Sequence, residues 1–211
     1  MAIGTDRGHG AGGHAAAPHR TRDVVPAAAQ LVLALQTLVS RETDPMASAV
    51  VSVTNLAAGS GAENVITGEA LLSGTVRTYN QALRDTLEAR IRAMTESIAT
   101  AFSLSSEFHY TRLMDPVVNH AESTDLCREA AAAIVGEQNV QDFEPMMGGE
   151  DFGGFLQKRP GAFIVLGQAE PDPASPHNFV CHSPFYDFND AIIPTAATYF
   201  AELAERRLPV D

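Results

Sequence analysis

Two neighbouring β-branched segments, flanked on both sides by helical patterns, constrain the fold of this chain most. SAVVSVTNL and EALLSGTVRT alternate largely between apolar and polar residues, which is typical of strands, and the Gly-rich stretch AAGSGAEN between them suits a turn. Before them, apolar residues recur at steps of three and four across residues 25–39, behind Asp23 as a suitable N-cap. The pattern predicts a helix followed by two strands.

A second helix and a further strand are predicted next. Apolar residues from Leu83 to Phe102 again recur every three or four positions, and SSEFHYTR then alternates as a strand does. With the short segment MAIGTD as a preceding strand, the order becomes βαββαβ, that of a ferredoxin-like fold with both helices on one face of its sheet. We therefore expect an α/β (α+β) chain whose residues 1–114 form a ferredoxin-like domain.

The rest of the chain, residues 115–211, is less regular. Asp115, Pro116 and Asn119 interrupt the pattern, and an Ala-rich helix, a short apolar strand GAFIVLG and a last helix after Asp190 are predicted to follow. These few elements make a thin core. We expect residues 115–211 to be part of a larger domain.

Charge and composition exclude several classes of partner and location. The 26 acidic residues outnumber the 14 Lys and Arg, so a basic face for nucleic acid is not expected. The longest apolar run contains Pro26 and is shorter than the roughly 20 residues of a membrane span. The amino terminus has no apolar signal segment, and Cys127 and Cys181 show no disulfide or zinc spacing. We expect a cytoplasmic protein with reduced thiols.

Three polar motifs carry possible chemistry. In GGHAAAPH, a histidine on a Gly-rich loop can donate to a developing oxyanion, although its spacing fits surface histidines equally well. In MGGEDF, glycine N–H groups at a helix start favour an anion, while Asp151 fits better as a helix cap. In CHSPFYDFND, His182 is a metal-ligand type, but a site needs about three or four ligands. We interpret Cys181 beside it as a small buried apolar residue.

Taken in order, GGHAAAPH, VPAAAQLVLALQTLVSRETDP, SGTVRTYN, MGGEDF and CHSPFYDFND resemble the motif series of M20-type metal-dependent amidohydrolases, the hippurate and N-acyl-amino-acid hydrolase group. The match runs over nearly the whole chain from Gly12. The resemblance implies a zinc-peptidase-like α/β catalytic domain with a ferredoxin-like lid or dimerisation domain. Residues 1–114 would be the lid, and residues 115–211 the C-terminal portion of the catalytic domain.

The resemblance also implies roles for single residues. His14 looks like the lid histidine that reaches into the active site of the partner subunit and stabilises the tetrahedral oxyanion. His182 is similar to the last metal ligand of the family. Four further residues look like holders of the substrate carboxylate or amide, two as lid side chains and two as a backbone anion cradle: Asn64, Arg77, Gly148 and Gly149.

The departures from the family pattern bear on activity. Family members carry a Cys/His ligand pair, an adjacent Glu pair and a further His before the lid, and this sequence has no such segment. The resemblance thus implies a hydrolase of N-acyl amino acids or small peptides that uses zinc, manganese, cobalt or nickel, of which this chain lacks the N-terminal catalytic half. The chain alone is expected to bind metal weakly or not at all and to be inactive.

The alternative is a non-catalytic dimerisation module or a truncated remnant. The αββαβ order suggests, more weakly, a small-molecule sensor domain.

A homodimer through the lid is also expected. SAVVSVTNL and GAENVITGEALLSGTV are rich in β-branched residues and poor in charge, so they lack the lysines that commonly block edge pairing. The resemblance implies the same two-fold dimer.

Overall fold

The structure, a computed structural model, describes residues 2–208. It divides into two compact units. Residues up to Pro116, together with Met147–Asp151, form the first unit, and Val117–Met146 with the residues from Phe152 onward form the second. The MGGEDF motif thus contributes most of its residues to the first unit.

The first unit is built on a four-stranded antiparallel sheet in the order β3-β5-β1-β6, beside a two-stranded ladder of β2 and β4. The strands are β1 (Ala2–His9), β2 (Gly13–His14), β3 (Ala49–Ala58), β4 (Val65–Ile66), β5 (Glu69–Thr78) and β6 (Ser105–Arg112). The order is that of a ferredoxin-like sheet, so the predicted βαββαβ fold is confirmed. Both SAVVSVTNL, which contains most of β3, and the segment that contains most of β5 are expected from the sequence to pair across copies. In the four-stranded sheet β3 is an edge strand, whereas β5 lies inside.

Two helices cover one face of this sheet. They are α1 (Val24–Thr37), which continues as a wider π-helical turn, Leu38–Glu42, and α2 (Gln81–Ala101). The Asp23 side chain accepts from the Val25 N–H at 2.9 Å, which confirms the predicted N-cap of α1. The structure shows a second cap, the Asn80 side chain at the start of α2. The stripes meet the helix-facing side chains of the sheet in one core: Val24, Ala28, Leu31, Leu35, Leu38, Ala70, Leu72, Val76, Leu87 and Ile91.

The continuous helix Val24–Glu42 is long and apolar enough to cross a membrane by length and composition alone. In the structure, however, its apolar stripe lies in the core just described, and Leu38 is fully buried there. A core helix of a globular domain passes the same test, so the helix is accounted for by packing against the sheet.

A buried carboxyl lies between the sheet of the first unit and helix α2. Asp6, on the central strand β1, is 6% exposed and accepts a hydrogen bond from Thr95 of α2 at 3.3 Å. Burial raises the pKa of Asp6 from 3.8 to about 6, although the Thr95 hydrogen bond and the charges of Arg92 and His109 oppose the shift. The folded state therefore binds a proton more tightly than the unfolded state, and stability falls as the pH rises from about 4 to about 6.

The variant Asp6→Asn is expected to be more stable than the native chain at pH 7, by about 2 kcal/mol, because it has no charge to desolvate. The difference should vanish below about pH 4, where the carboxyl is protonated in both states. Urea unfolding from pH 4 to pH 7 measures this, with the exposed Glu63→Gln as the matched control. A difference between Asp6→Asn and the native chain that is the same at both ends of the pH range would contradict the prediction.

The second unit is helical, with α3 (Ala121–Val135), the short α4 (Phe152–Leu156) and α5 (Ile193–Arg207). Its small core is formed where α3 and α5 pack, around Cys127, Ala130 and Tyr199. The strand predicted for GAFIVLG is wrong, since residues 161–167 are not in a strand. Within the described residues no strand lies beside this segment, and a single side-chain amide, that of Asn119, pairs with the Phe163 N–H and C=O at 2.8 Å each. Residues 163–166 are accordingly 38–55% exposed.

Candidate functional site

His14 and Asn64 are brought together by the ladder of β2 and β4. His14 pairs with Val65, and the Ala15 N–H donates to the Asn64 carbonyl at 2.9 Å. The approach is so close that a Cβ on Gly12 would lie 2.5 Å from the Ile66 carbonyl oxygen, which explains the glycine there. His14 and Asn64 are both exposed, so both can reach a ligand or another molecule.

The backbone around His14 selects its tautomer. The Nδ1 atom of His14 accepts from the Ala16 N–H at 3.0 Å, so the neutral ring carries its proton on Nε2. An exposed Nε2–H is the donor that stabilisation of an oxyanion requires. The local structure therefore suits the role that the family resemblance implies for His14.

Arg77 lies with the MGG segment. It is half-buried near the end of β5, on the sheet face opposite the helices, and its Nη1 donates to the Met147 carbonyl at 2.5 Å. Gly148 and Gly149 follow directly and are exposed. A guanidinium beside exposed glycine backbone is a combination that binds carboxylates and other anions. Arg77, Gly148 and Gly149 thus form a candidate anion site in the first unit.

The two groups lie at opposite ends of the sheet. The β2/β4 ladder, with His14 and Asn64, adjoins the start of β5 at Glu69, whereas Arg77 is near its other end. Arg77 lies eight positions beyond Glu69 along the extended strand, about 26 Å at the usual rise per residue. One copy of the first unit therefore does not place His14 and Arg77 on the same small molecule.

His182 belongs to the second unit, on a loop between residues 176 and 188. It is exposed and has a φ of 72°, a left-handed conformation that is uncommon for residues other than glycine. The expectation that Cys181 is buried is wrong: Cys181 is exposed because it shares the tip of this loop with His182. Both cysteines are free thiols, as predicted.

Metal-binding side chains are not grouped in the part of the chain that the structure describes. Among residues 2–208, no three His, Cys, Asp or Glu side chains are grouped closely enough to hold a metal ion. A catalytic zinc site takes about three protein ligands, and the family resemblance implies one of them for this chain, His182.

Motif reasoning missed a hydrogen-bonded cluster beneath the His182 loop. Asn189 is 7% exposed, accepts from the Ala191 N–H at 3.0 Å, and donates to the Gln168 carbonyl at 3.1 Å and to Glu170 at 3.3 Å. An Asn just before the last helix is a recognisable capping signal in the sequence. Gln168 and Glu170 lie in a loop with no such signal.

Comparison with known proteins agrees with these motifs. The sequence model of the peptidase family M20/M25/M40 matches residues 9–206 of this chain. The putative amidohydrolase YhaA of Bacillus subtilis is 38% identical over 195 residues, which cover 92% of this chain and 48% of that protein. The hippurate hydrolase of Campylobacter jejuni is 33% identical over 200 residues, covering 94% and 50%. The chain thus spans about half the length of these curated relatives.

Solved structures show the same fold. A putative aminohydrolase from methicillin-resistant Staphylococcus aureus superposes with a TM-score of 0.79 at 26% identity, covering 98% of this chain and 52% of that one. Bacillus subtilis YXEP, described as a dinuclear metal binding peptidase from the M20 family, gives a TM-score of 0.68 at 29% identity, covering 98% and 50%. Both superpositions include the two units of this chain.

Proposed function

Because this chain belongs to the peptidase family M20/M25/M40, we propose that it forms the lid and one wall of an amidohydrolase that cleaves N-acyl amino acids. In this proposal the first unit is the lid and the second unit is part of the catalytic domain. The observation that carries the proposal is the contact between Arg77 and Met147, which sets a guanidinium beside Gly148 and Gly149. An N-acyl amino acid offers a free carboxylate that such a site can bind.

Arg77, Gly148 and Gly149 hold the substrate carboxylate in this proposal. A guanidinium has five N–H donors, so Arg77 retains donors for a carboxylate while it contacts Met147. The exposed backbone of the two glycines lets a ligand approach closely, with no side chain in its way. Hippurate hydrolase and N-acetylcysteine deacetylase are among the relatives of this chain, which supports a substrate of this class.

His14 and Asn64 act on the substrate bound by another copy of the chain. The separation of about 26 Å along β5 excludes one shared ligand within a copy, whereas a two-fold dimer can bring one end of each lid to the other copy. There the Nε2–H of His14 stabilises the oxyanion that forms when the amide carbonyl is attacked, and Asn64 helps to hold the substrate. The uncharged edge strand β3 is the surface through which the copies pair.

The metal of the complete enzyme, zinc, manganese, cobalt or nickel, is held mainly by residues other than those described here. His182 contributes one ligand, and the remaining ligands and the general base come from elsewhere. The second candidate function is a non-catalytic dimerisation module. This second function is favoured by one observation: among residues 2–208, no three metal-binding side chains lie close together.

The purified 211-residue chain is expected not to hydrolyse hippurate or N-acetylcysteine in the presence of Zn²⁺, Mn²⁺, Co²⁺ or Ni²⁺, because one imidazole does not hold a catalytic metal. Release of the free amino acid is the measurement, with His182→Ala as the control. Turnover that chelator abolishes and that His182→Ala lacks would show that the chain carries a metal centre of its own.

A further inference from the structure

The loop that carries His182 is closed at its neck, the two short stretches where the loop begins and ends. The Asp187 N–H donates to the Pro176 carbonyl at 3.3 Å, and the His177 Nδ1 lies 3.1 Å from the Asp187 carbonyl. The ends of the loop are therefore held together, while His182 lies at its exposed tip. All of these residues belong to the second unit.

Gln168 joins both sides of this neck with one side chain. Its Nε2 donates to the His177 carbonyl at 2.9 Å and to the Asp187 carbonyl at 3.3 Å. Its Oε1 accepts from the Tyr186 hydroxyl and from the Asn189 N–H, each at 3.4 Å. A primary amide has two donor hydrogens and an acceptor oxygen, so Gln168 uses both kinds of group on this loop.

Gln168 is itself anchored. The buried Asn189 donates to the Gln168 carbonyl at 3.1 Å and caps the turn that leads into α5. The Ser175 hydroxyl donates to Glu170 at 2.9 Å, and Asn178 donates to the Glu170 carbonyl at 3.0 Å, which ties the segment after Gln168 to the start of the loop. The neck is therefore fixed to a regular helix.

His182 depends on this neck for its position. Among the described residues its imidazole makes no hydrogen bond or ion pair. Its positive φ belongs to a turn in which the Ser183 N–H donates to the Val180 carbonyl at 3.1 Å. We propose that Gln168 is a positioning residue for His182: it closes the neck of the loop and so fixes where the imidazole lies. The inference rests on the proposed function, in which His182 contributes to the hydrolytic site. Two other restraints compete with the neck: the ring contact between Phe179 and Phe185, and the turn from Val180 to Ser183.

The test uses NMR on the whole chain, with Gln168→Ala, the shape-matched Gln168→Met and the exposed Gln157→Ala as control. We expect both Gln168 variants to raise amide exchange at Ser183 and Tyr186 by about tenfold or more, and to average the ring resonances of His182, while exchange in α5 changes less than about threefold. Gln157→Ala should leave all three unchanged. Because Gln168→Met keeps the side-chain volume, an effect shared with Gln168→Ala belongs to the hydrogen bonds.

Two outcomes would overturn the inference. Native His182 ring resonances in both Gln168 variants would show that the Phe179 and Phe185 contact and the Val180–Ser183 turn suffice to hold the loop. An equal rise of exchange throughout α5 would show that Gln168 stabilises the whole unit rather than the loop. Neither readout depends on hydrolysis, so a loosened loop in the variants would leave the positioning role standing even if the complete enzyme, without any substitution, proved inactive and refuted the proposed function.

Discussion

The double variant Ser52→Lys, Ala57→Lys is expected to convert a dimer of this chain into a monomer, with a loss of dimer affinity of about 100-fold or more. Ser52 and Ala57 lie on the edge strand β3 and pair with Thr75 and Leu71 on the open face of the sheet. Charged side chains on an edge strand oppose pairing with a second copy, and these two positions avoid the helical core. Light scattering at micromolar concentration measures the change.

The choice of positions matters because neighbouring residues on β3 have a different role. Val51 and Val53 pack against the core under α1, so lysines there would unfold the first unit and say nothing about the edge. The control is Thr111→Lys on the opposite edge strand, β6, which should remain dimeric. A native chain that is strictly monomeric, or a control that dissociates equally, would contradict pairing through β3.

The variant His14→Ala is expected to lower kcat by about 100-fold or more with little change in KM, since it removes a donor used mainly in the transition state. The measurement requires the complete enzyme. It is made by joining this chain to the half of the Campylobacter jejuni hippurate hydrolase that the chain does not match. His19→Ala, an exposed histidine in the same motif with no proposed role, is the matched control.

Activity that survives in His14→Ala at the level of His19→Ala would remove the oxyanion role from His14. A fall in both variants would indicate damage to the segment as a whole, in which Gly12 already packs against Ile66 without space for a side chain. If the joined enzyme is inactive before any substitution, the non-catalytic dimerisation module becomes the better account.

Much of the first unit could be predicted because its signals are local. Asp23 stands directly before the apolar stripe that it caps, and the alternation of β3 and β5 follows from burial of one face. The strand predicted for GAFIVLG was wrong because a strand depends on a neighbouring segment as well as on its own sequence. A strand requires a neighbour to take its backbone hydrogen bonds. Residues 161–167 instead bond to the Asn119 side chain and to the His120 N–H, which donates to the Gly161 carbonyl at 2.9 Å.

The sequence named residues for the candidate site but not their arrangement. The family resemblance pointed to His14 and Arg77, yet no spacing in the sequence shows that they lie toward opposite ends of the sheet. The contact of Arg77 with Met147 joins residues 70 positions apart, and the Gln168 bridge depends on loop geometry. Asp6 was missed because nothing in a short polar segment signals that a carboxyl will lie beneath Thr95.

The division of the site between two copies is the central claim, and subunit mixing tests it most directly. His14→Ala and Arg77→Ala variants of the joined enzyme should each be nearly inactive. After the two are mixed and allowed to exchange subunits, one site in each mixed dimer receives both native residues, so about a quarter of the native activity should return. A mixture that stays as inactive as its two components would show that His14 and Arg77 act within a single copy, contrary to the arrangement described here.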